Sequence, residues 1–379
     1  PHAYRIRYVC DLDAVVDHIV AAAEAGKAVV WIRNTVNEAR DAYARLRERL
    51  PPSLREKLEL FHARFALGDR TQIEQRVGDH FGVESTAEQR AGRVLVATQV
   101  IEQSLDVDFD EMVTDLAPVD LLIQRAGRLR RHRRDAFGNR LPNGPDGRGE
   151  AELVVYGPPF TDDVDADWVS AWSRGTAFVY DNHAYLWRTV RALGERLDLG
   201  AAPRTAIEAV YDARDDDYPK ALQQSAFKAE SNDIGDRQMA GFNTIRDNTA
   251  YENDGVAWPD DVTAPTRLGE PTIELVLARV RGDEIVPWSG DADEPWAMSV
   301  VRVRRAALRG RTALGQLENA AAQLESSIPA LRWRTLLVLS ESGECYEGKM
   351  TTADGSAVRL TYDPRTGLGA LRPDNGGQA

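Results

Sequence analysis

The sequence has few cysteines and no long apolar run. Its 379 residues include two cysteines, Cys10 and Cys345, which form neither a disulfide framework nor a metal-ligand spacing. A reducing cytoplasm is therefore the expected compartment. No apolar run approaches the roughly 18 residues that a membrane-spanning helix needs, and we expect no signal peptide. These absences exclude membrane-embedded and disulfide-stapled secreted proteins.

Positive charge is also in short supply. The chain has 47 lysines and arginines against 60 aspartates and glutamates, a net charge of −13. This balance argues against a generally basic nucleic-acid binder, although phosphates respond to local patches rather than to net charge. With 43% hydrophobic residues, the chain can bury substantial cores, and its length predicts two domains.

The first 156 residues alternate short apolar runs with amphipathic stretches. This alternation predicts an α/β fold in which a parallel sheet is covered by helices on both faces. The predicted helices are Leu12–Ala25, Val36–Leu50, Arg70–Phe81 and Val119–Arg131, and the predicted strands are Ala28–Ile32, Leu58–Phe61, Val94–Thr98, Met112–Leu116 and Leu153–Tyr156. Residues 135–149 are rich in Gly, Pro, Asn and Asp and predict a solvated loop.

An acidic, Pro-containing segment at 157–167 marks a predicted domain boundary. Beyond it, residues 177–197, 205–211, 220–230 and 312–325 have helical patterns, residues 231–271 are polar and irregular, and strand-like runs return at 273–280 and 336–339. The second part is therefore predicted to be a smaller α+β domain.

The sequence QRAGRLRRH at 124–132 is the most informative stretch. If the helix continues, Gln124, Arg128 and Arg131 lie on one face at positions i, i+4 and i+7. Guanidinium groups bind phosphate oxygens in a bidentate manner, so this face predicts a phosphate site. The alternative is a solvated basic helix end, where cations also suit the helix dipole.

Polar residues follow three of the predicted strands. Thr98 and Gln99 come after one strand, Arg33, Asn34 and Thr35 after another, and His62 and Arg64 after a third. Ligands bind at the carboxyl edge of open parallel sheets, so these residues predict one polar rim suited to a single-stranded backbone. Asp106, in the loop after Gln99, could accept hydrogen bonds from sugar hydroxyls, or it could only cap the turn.

These motifs, in this order, resemble the second RecA-like lobe of a superfamily-two helicase. The run ATQVIEQSLDVDFD, followed by DLAPVDLLIQRAGRLRRH, is similar to the helicase–nuclease of type I CRISPR-Cas systems, and TRLGEPT at 266–272 is similar to its C-terminal accessory domain. The resemblance implies a RecA-like lobe over residues 1–160, then a helical linker and accessory domain over residues 161–379.

The resemblance also implies roles for residues. Arg128 and Arg131 match arginine fingers that reach the γ-phosphate of ATP, Gln124 matches a phosphate sensor, and Asp106 matches a contact to the nucleotide sugar. The strand-end residues fall where such a lobe holds single-stranded DNA. They are Arg33, Asn34, Thr35, His62, Arg64, Thr98 and Gln99.

Other motifs of that family are missing from the sequence. There is no G-x-x-x-x-G-K-[ST] loop, no Asp-Glu-x-His or Asp-Glu-x-Asp box and no His-Asp dipeptide of a metal nuclease. ATP is therefore expected to bind between this lobe and a first RecA-like lobe that would hold Mg²⁺, and this chain alone should be inactive, with no metal site.

The resemblance implies single-stranded DNA, a crRNA-guided surveillance complex and the N-terminal half of the same protein as partners in antiviral defence. Two alternatives remain open from the residues alone. One is a non-enzymatic nucleic-acid-binding or regulatory module built on a single RecA-like lobe. The other is a fragment of an RNA-acting helicase, because sugar discrimination depends on contacts that the motifs do not define.

Overall fold

A computed structural model describes residues 3–102, 105–200, 203–212, 217–242, 272–282, 284–304, 318–331, 334–343, 345–351, 357–369 and 372–373. Its first part is an α/β fold with one mainly parallel sheet, as predicted. The strands of this sheet are β1 (Ala3–Val9), β2 (Val29–Ile32), β3 (Leu58–Phe61), β4 (Val94–Ala97), β5 (Glu111–Asp115), β6 (Glu152–Tyr156) and β7 (Arg196–Asp198). They lie in the order β3-β4-β2-β5-β6-β1-β7, and β7 alone is antiparallel to its neighbour.

Helices cover both faces of this sheet. They are α1 (Leu12–Glu24), α2 (Val36–Arg49), α3 (Pro52–Arg55), α4 (Leu67–Phe81), α5 (Ala87–Arg90), α6 (Val119–Ala126), α7 (Trp168–Trp172), α8 (Arg174–Val179), α9 (His183–Leu193), α10 (Pro203–Tyr211) and α11 (Gln223–Phe242). None of the helices described is long and apolar enough to cross a membrane.

The two faces bury alternate residues of the same strands. On β2, Val29 and Trp31 pack with α1 and α2, whereas Val30 and Ile32 pack with α4 and α6. All four side chains are fully buried, which explains why the strands read as continuous apolar runs rather than as alternating ones.

The second part forms another sheet. Its strands are β8 (Thr272–Arg281), β9 (Glu284–Pro287), β10 (Val300–Arg304), β11 (Thr335–Ser342), β12 (Cys345–Thr351), β13 (Ala357–Asp363), β14 (Gly367–Leu368) and β15 (Arg372–Pro373). Among the described residues of this part, two helices accompany the strands, α12 (Pro295–Met298) and α13 (Glu318–Ser327). The expected α+β character of this part is confirmed.

Several predicted boundaries differ from the structure. The strand β1 was not predicted, and the predicted helix 177–197 is interrupted at Asn182, which caps α9. Residues 231–242 continue α11 rather than being irregular, while residues 243–271, including most of TRLGEPT, lie outside the described residues. Because β7 pairs with β1, the first sheet extends beyond residue 160. The division of the chain at residue 160 stays a prediction.

Two later segments of the chain pack on the carboxyl edge of the first sheet. Helix α8 lies over the end of β2, where the Thr176 hydroxyl accepts a hydrogen bond from Asn34 Nδ2 at 3.0 Å. The turn between β13 and β14 lies over the end of β3, where the Leu368 amide donates to the Arg64 carbonyl at 2.7 Å. The edge expected to be an open polar rim is therefore partly covered.

Candidate functional site

The ends of β2, β3 and β4 lie side by side, as the sequence predicts. Ile32 is in register with Ala97, and Ala97 is in register with Phe61. The residues that follow are also linked, because Gln99 Nε2 donates to the Asn34 carbonyl at 2.9 Å. The structure thus brings all three groups of strand-end residues to one edge.

Arg33 does not present its side chain on this edge. The residue is 7% exposed, and its guanidinium donates to the Asp115 carboxylate at 2.8 Å and stacks over the Trp31 ring at 4.7 Å. Burial raises the pKa of Asp115, and the charge of Arg33 opposes that shift because it favours the ionised carboxylate. In this structure the Arg33 side chain neutralises a buried carboxylate rather than facing solvent, and the prediction that it grips a nucleic acid stays a prediction.

The side chains of Asn34, Thr98 and His62 are also buried. Asn34 is 2% exposed and donates to the Leu116 carbonyl at 2.8 Å, and Thr98 is 3% exposed. His62 is fully buried, stacks on Phe65 and accepts a hydrogen bond from the Arg64 amide at 3.1 Å. Burial lowers the pKa of His62 to about 3. Helix α8 covers Asn34 and the 363–368 turn covers His62. The predicted contacts of these three residues with a nucleic-acid backbone stay a prediction, although their side chains are buried in this structure.

Three of the predicted rim residues remain partly exposed. They are Thr35, Arg64 and Gln99. Thr35 caps α2 by accepting a hydrogen bond from the Glu38 amide at 3.2 Å, and the Arg64 guanidinium donates to Asn37 Oδ1 at 3.0 Å. These side chains supply hydroxyl, amide and guanidinium groups at the open part of the edge.

The helix predicted to carry the arginines ends early. Helix α6 stops at Ala126, so Arg128 and Arg131 lie in the following loop and not on a helical face with Gln124. The prediction that one helical face carries Gln124, Arg128 and Arg131 is therefore wrong. Phe109 causes the change: its backbone pairs with the loop around Leu129, where the Phe109 amide donates to the Arg128 carbonyl at 3.1 Å.

Gln124, Arg128, Arg131 and Asp106 nevertheless form one surface cluster. Arg128 donates to the Gln124 carbonyl at 3.1 Å and to the Ile101 carbonyl at 2.8 Å, and among the described residues it makes no ion pair within 4 Å. Arg131 pairs with Asp106 at 2.7 Å, with both side chains about half exposed. Burial lowers the pKa of Arg128, and the charge of Arg131 lowers it further. An anion placed between the two guanidiniums would relieve both effects.

Three other arginines of the same stretch are internal. Arg125, Arg130 and Arg134 are at most 5% exposed. Arg125 pairs with Glu102 at 2.7 Å, and Arg134 pairs with Asp108 at 2.7 Å. Much of the positive charge of residues 125–134 is therefore neutralised by carboxylates of the same lobe.

Sequence reasoning missed the partners of these arginines. Glu102, Asp115, Tyr180 and Arg148 all contact the predicted site residues or their immediate neighbours. Arg148 belongs to the segment predicted as a solvated loop, yet its side chain is 1% exposed. The available signal was the alternation of Asp106, Asp108 and Asp110 close to an arginine-rich stretch.

The described residues hold no group of three or more His, Cys, Asp or Glu side chains arranged to bind a metal ion. A cavity of about 500 Å³ runs along the open edge of β3, and none of the predicted site residues lines it. Gln124, Arg128, Arg131 and Asp106 therefore lie on an open patch of the described surface rather than around this cavity.

Comparisons with known proteins agree on one family. Residues 25–134 match the family model of the CRISPR-associated nuclease/helicase Cas3, C-terminal. The chain is 34% identical to the CRISPR-associated endonuclease/helicase Cas3 of Escherichia coli (strain K12), over 69% of this chain and 27% of that protein. It is 28% identical to the Cas3 of Thermus thermophilus, over 82% of this chain and 34% of that protein. The chain therefore spans about a third or less of these relatives.

Solved structures give the same result. A crystal structure of a CRISPR-associated protein matches with a TM-score of 0.71 at 28% identity, covering 98% of this chain and 41% of that one. A crystal structure of T. fusca Cas3-ATP matches with a TM-score of 0.70 at 25% identity, covering 97% and 42%. From the family model, the relatives and these structures together, we conclude that the chain belongs to the Cas3 helicase family and corresponds to its C-terminal half.

Proposed function

We propose that this chain supplies the second motor lobe of an ATP-dependent single-stranded DNA translocase that acts, with a nuclease domain elsewhere in the protein, on invader DNA. In this proposal Arg128 and Arg131 are the arginine fingers, Gln124 senses the γ-phosphate and Asp106 contacts the nucleotide sugar. The observation that carries the proposal is the half-buried Arg128, which faces carbonyl oxygens and lies beside the exposed Arg131. Such a pair favours a polyanion.

The rest of the machinery would come from outside this chain. ATP would lie between this patch and a first RecA-like lobe, and that lobe would hold Mg²⁺. The nuclease domain would belong to the same N-terminal half of the protein as that lobe. The T. fusca relative whose structure is named Cas3-ATP supports ATP as the nucleotide. We propose a crRNA-guided complex as a partner, since a structure named CRISPR RNA-guided surveillance complex, pre-nicking, contains a chain with this fold. The unpaired Cys10 and Cys345 accord with a cytoplasmic location.

We propose fewer DNA-contacting residues than the sequence alone predicts. We propose that Thr35, Arg64 and Gln99 contact the phosphodiester backbone, because they are the partly exposed members of the strand-end group. Asn34, Thr98 and His62 would act only by shaping the edge beneath them. Competition between single-stranded DNA and RNA of equal length, at one stated salt concentration, distinguishes a DNA-acting from an RNA-acting enzyme.

The proposal is tested in a protein that joins this chain to the N-terminal regions of a Cas3 relative, called the joined protein below. Arg128→Ala and Arg131→Ala should each lower the kcat of DNA-stimulated ATP hydrolysis on the order of 10³-fold while single-stranded DNA binding is retained. Arg133→Ala is the matched control, because Arg133 is an exposed arginine of the same stretch. Unchanged turnover in the Arg128 and Arg131 variants would rule out the finger assignment.

One observation favours a second candidate, a non-enzymatic nucleic-acid-binding module. Arg131 already has an anionic partner in Asp106, so part of the patch is satisfied without nucleotide. Exposed ion pairs contribute little free energy, however, and a triphosphate could displace this one. DNA binding with no ATP turnover in the joined protein would favour this second candidate.

A further inference from the structure

The loop that carries Arg131 is held by its backbone. The Phe109 amide donates to the Arg128 carbonyl at 3.1 Å, the Arg130 amide donates to the Phe109 carbonyl at 2.9 Å, and the His132 amide donates to Asp108 Oδ1 at 3.2 Å. Arg130 lies in the left-handed region with φ of 51°. A non-glycine residue keeps that conformation only when its surroundings impose it, so residues 108–110 fix the course of this loop.

Arg148 holds the same loop from the other side. Its guanidinium donates to the His132 carbonyl at 2.6 Å and also to Asp108 at 3.0 Å and Asp110 at 2.7 Å. The amide and the carbonyl of His132 are therefore both fixed, one by Asp108 and the other by Arg148. Since His132 directly follows Arg131, this clamp fixes the point from which the Arg131 side chain extends.

The clamp belongs to a buried network of balanced charge. Three arginines, Arg90, Arg134 and Arg148, face three aspartates, Asp108, Asp110 and Asp146. The arginines and Asp108 are at most 2% exposed at their side chains. Only Arg148 among these three arginines bonds a backbone atom of the segment 128–132 in the described structure. This contact has no counterpart in Arg90, which faces the same aspartates.

The side chain of Arg131 has no comparable support. Its partner Asp106 is 53% exposed and is shared with His132 Nε2 at 2.9 Å. Water screens such a pair, so it cannot by itself hold the guanidinium in one place. A catalytic guanidinium must stay within a fraction of an ångström of its productive position, and that precision has to come from the backbone.

We propose that Arg148 and Asp108 are positioning residues that clamp His132 and thereby aim Arg131 at the phosphates of the nucleotide. This inference rests on the proposed function. It assigns a role in turnover to Arg148, a residue from a Gly- and Pro-rich loop whose side chain is buried. Loss of the clamp should therefore lower the rate of the chemical step more than it weakens nucleotide binding.

The test compares Arg148→Lys with Arg90→Lys in the joined protein. Both substitutions keep the charge of the network and weaken its contacts with Asp108 and Asp110. Only Arg148 donates directly to His132, so Arg148→Lys should loosen His132 more than Arg90→Lys does. Arg148→Lys should lower kcat for ATP about 10- to 100-fold with KM within about twofold of the parent, and Arg90→Lys should leave kcat within about twofold. Equal losses of kcat in both variants, or none in Arg148→Lys, would overturn the proposal.

A second measurement is independent of ATP turnover. Hydrogen exchange of the amides in segment 128–132, measured on the 379-residue chain, should accelerate at least about tenfold in Arg148→Lys and remain unchanged in Arg90→Lys. Unchanged exchange in Arg148→Lys would refute the clamp even if the joined protein hydrolyses ATP. If instead the clamp loosens as expected but Arg131→Ala retains full turnover, the clamp stands and the finger assignment fails.

Discussion

The six arginines between residues 125 and 134 differ mainly in what faces them. Arg134 is fully buried against Asp108, Arg128 is half-buried against carbonyl oxygens, and Arg131 is exposed. All carry the same charge, but of these three only Arg128 and Arg131 can offer it to a ligand at the surface. Function at this scale is decided by desolvation and by the partner already present, neither of which the residue type reveals.

His62 provides a residue-scale prediction. Its pKa is lowered to about 3 mainly by burial and also by the charges of Arg40 and Arg64, whereas an exposed histidine titrates near 6.5. The unfolded chain therefore binds this proton more readily, and the stability that neutral His62 provides is lost as pH falls below 6.5. We expect the free energy of unfolding to drop by roughly 2 kcal/mol between pH 7 and pH 5 from this group.

Urea unfolding of the 379-residue chain at both pH values measures this drop. His62→Gln, which does not titrate, should remove that part of the difference. An identical pH dependence in the parent and the variant would show that His62 is not the group responsible.

At the scale of elements, contacts at the ends of helices and strands set the shape of the candidate site. Helix α2 begins where Thr35 caps it, whereas α6 ends at Ala126 because the next residues pair with Phe109.

The chain that leads from β13 into β14 packs closely against the end of β3. A Cβ atom on Gly367 would lie 2.6 Å from the Arg64 carbonyl oxygen and 2.7 Å from His62 Cε1. This turn can therefore cover the end of β3 only with glycine at that position.

Gly367→Ala tests this packing. Gly367 has φ of +66°, and Gly343 in the turn after β11 has φ of +63°, with no atom within 4 Å of the place where a Cβ would lie. Both substitutions should cost about 1–2 kcal/mol for the left-handed backbone. Gly367→Ala should cost a further 1–3 kcal/mol, roughly, from overpacking against Arg64 and His62. Equal losses in denaturant unfolding of the two variants would contradict a tight contact at the end of β3.

At the scale of the whole molecule, Asp69 is a centre of the polar contacts that attach the second sheet to the first part. The Tyr362 hydroxyl donates to Asp69 at 2.5 Å and accepts from the Ala66 amide at 2.9 Å, and Trp288 Nε1 also donates to Asp69 at 2.9 Å. Burial raises the pKa of Tyr362, so its proton remains available for this bond. The same contact region carries the turn that covers His62, which links the second sheet to the proposed DNA edge.

Tyr362→Phe should therefore loosen this attachment. Removing the hydroxyl leaves the Ala66 amide and one Asp69 contact unsatisfied, which should cost about 1–3 kcal/mol in the free energy of unfolding. Tyr346→Phe is the control, because the Tyr346 ring packs on the same Trp288 and its hydroxyl makes no hydrogen bond within the described part of the chain. Similar stabilities of the two variants, measured by urea unfolding, would argue against the Tyr362 contact as the fastening point.

Much of the first sheet could be predicted from the sequence. Strand β3 coincides with its prediction, and β2, β4, β5 and β6 differ from theirs by about a residue at an end. Both faces of these strands are buried, which leaves a continuous apolar run that local pattern detects. Strand β1 was not predicted because its arginines alternate with apolar residues and only Tyr4 is buried, so its apolar pattern is weak.

The sequence by itself determined the α/β class, the meeting of three strand ends at one edge and the presence of an arginine-rich segment near Asp106, because these follow from local periodicity and order along the chain. Only the tertiary structure decided which of those polar groups face solvent. Arg33 pairs with Asp115, Asn34 bonds to α8, and His62 is covered by the turn before β14. Arg148 donates to His132 from a loop that has no local pattern. Such pairings join residues distant in sequence, and a buried charge or amide must find whichever partner the fold places beside it.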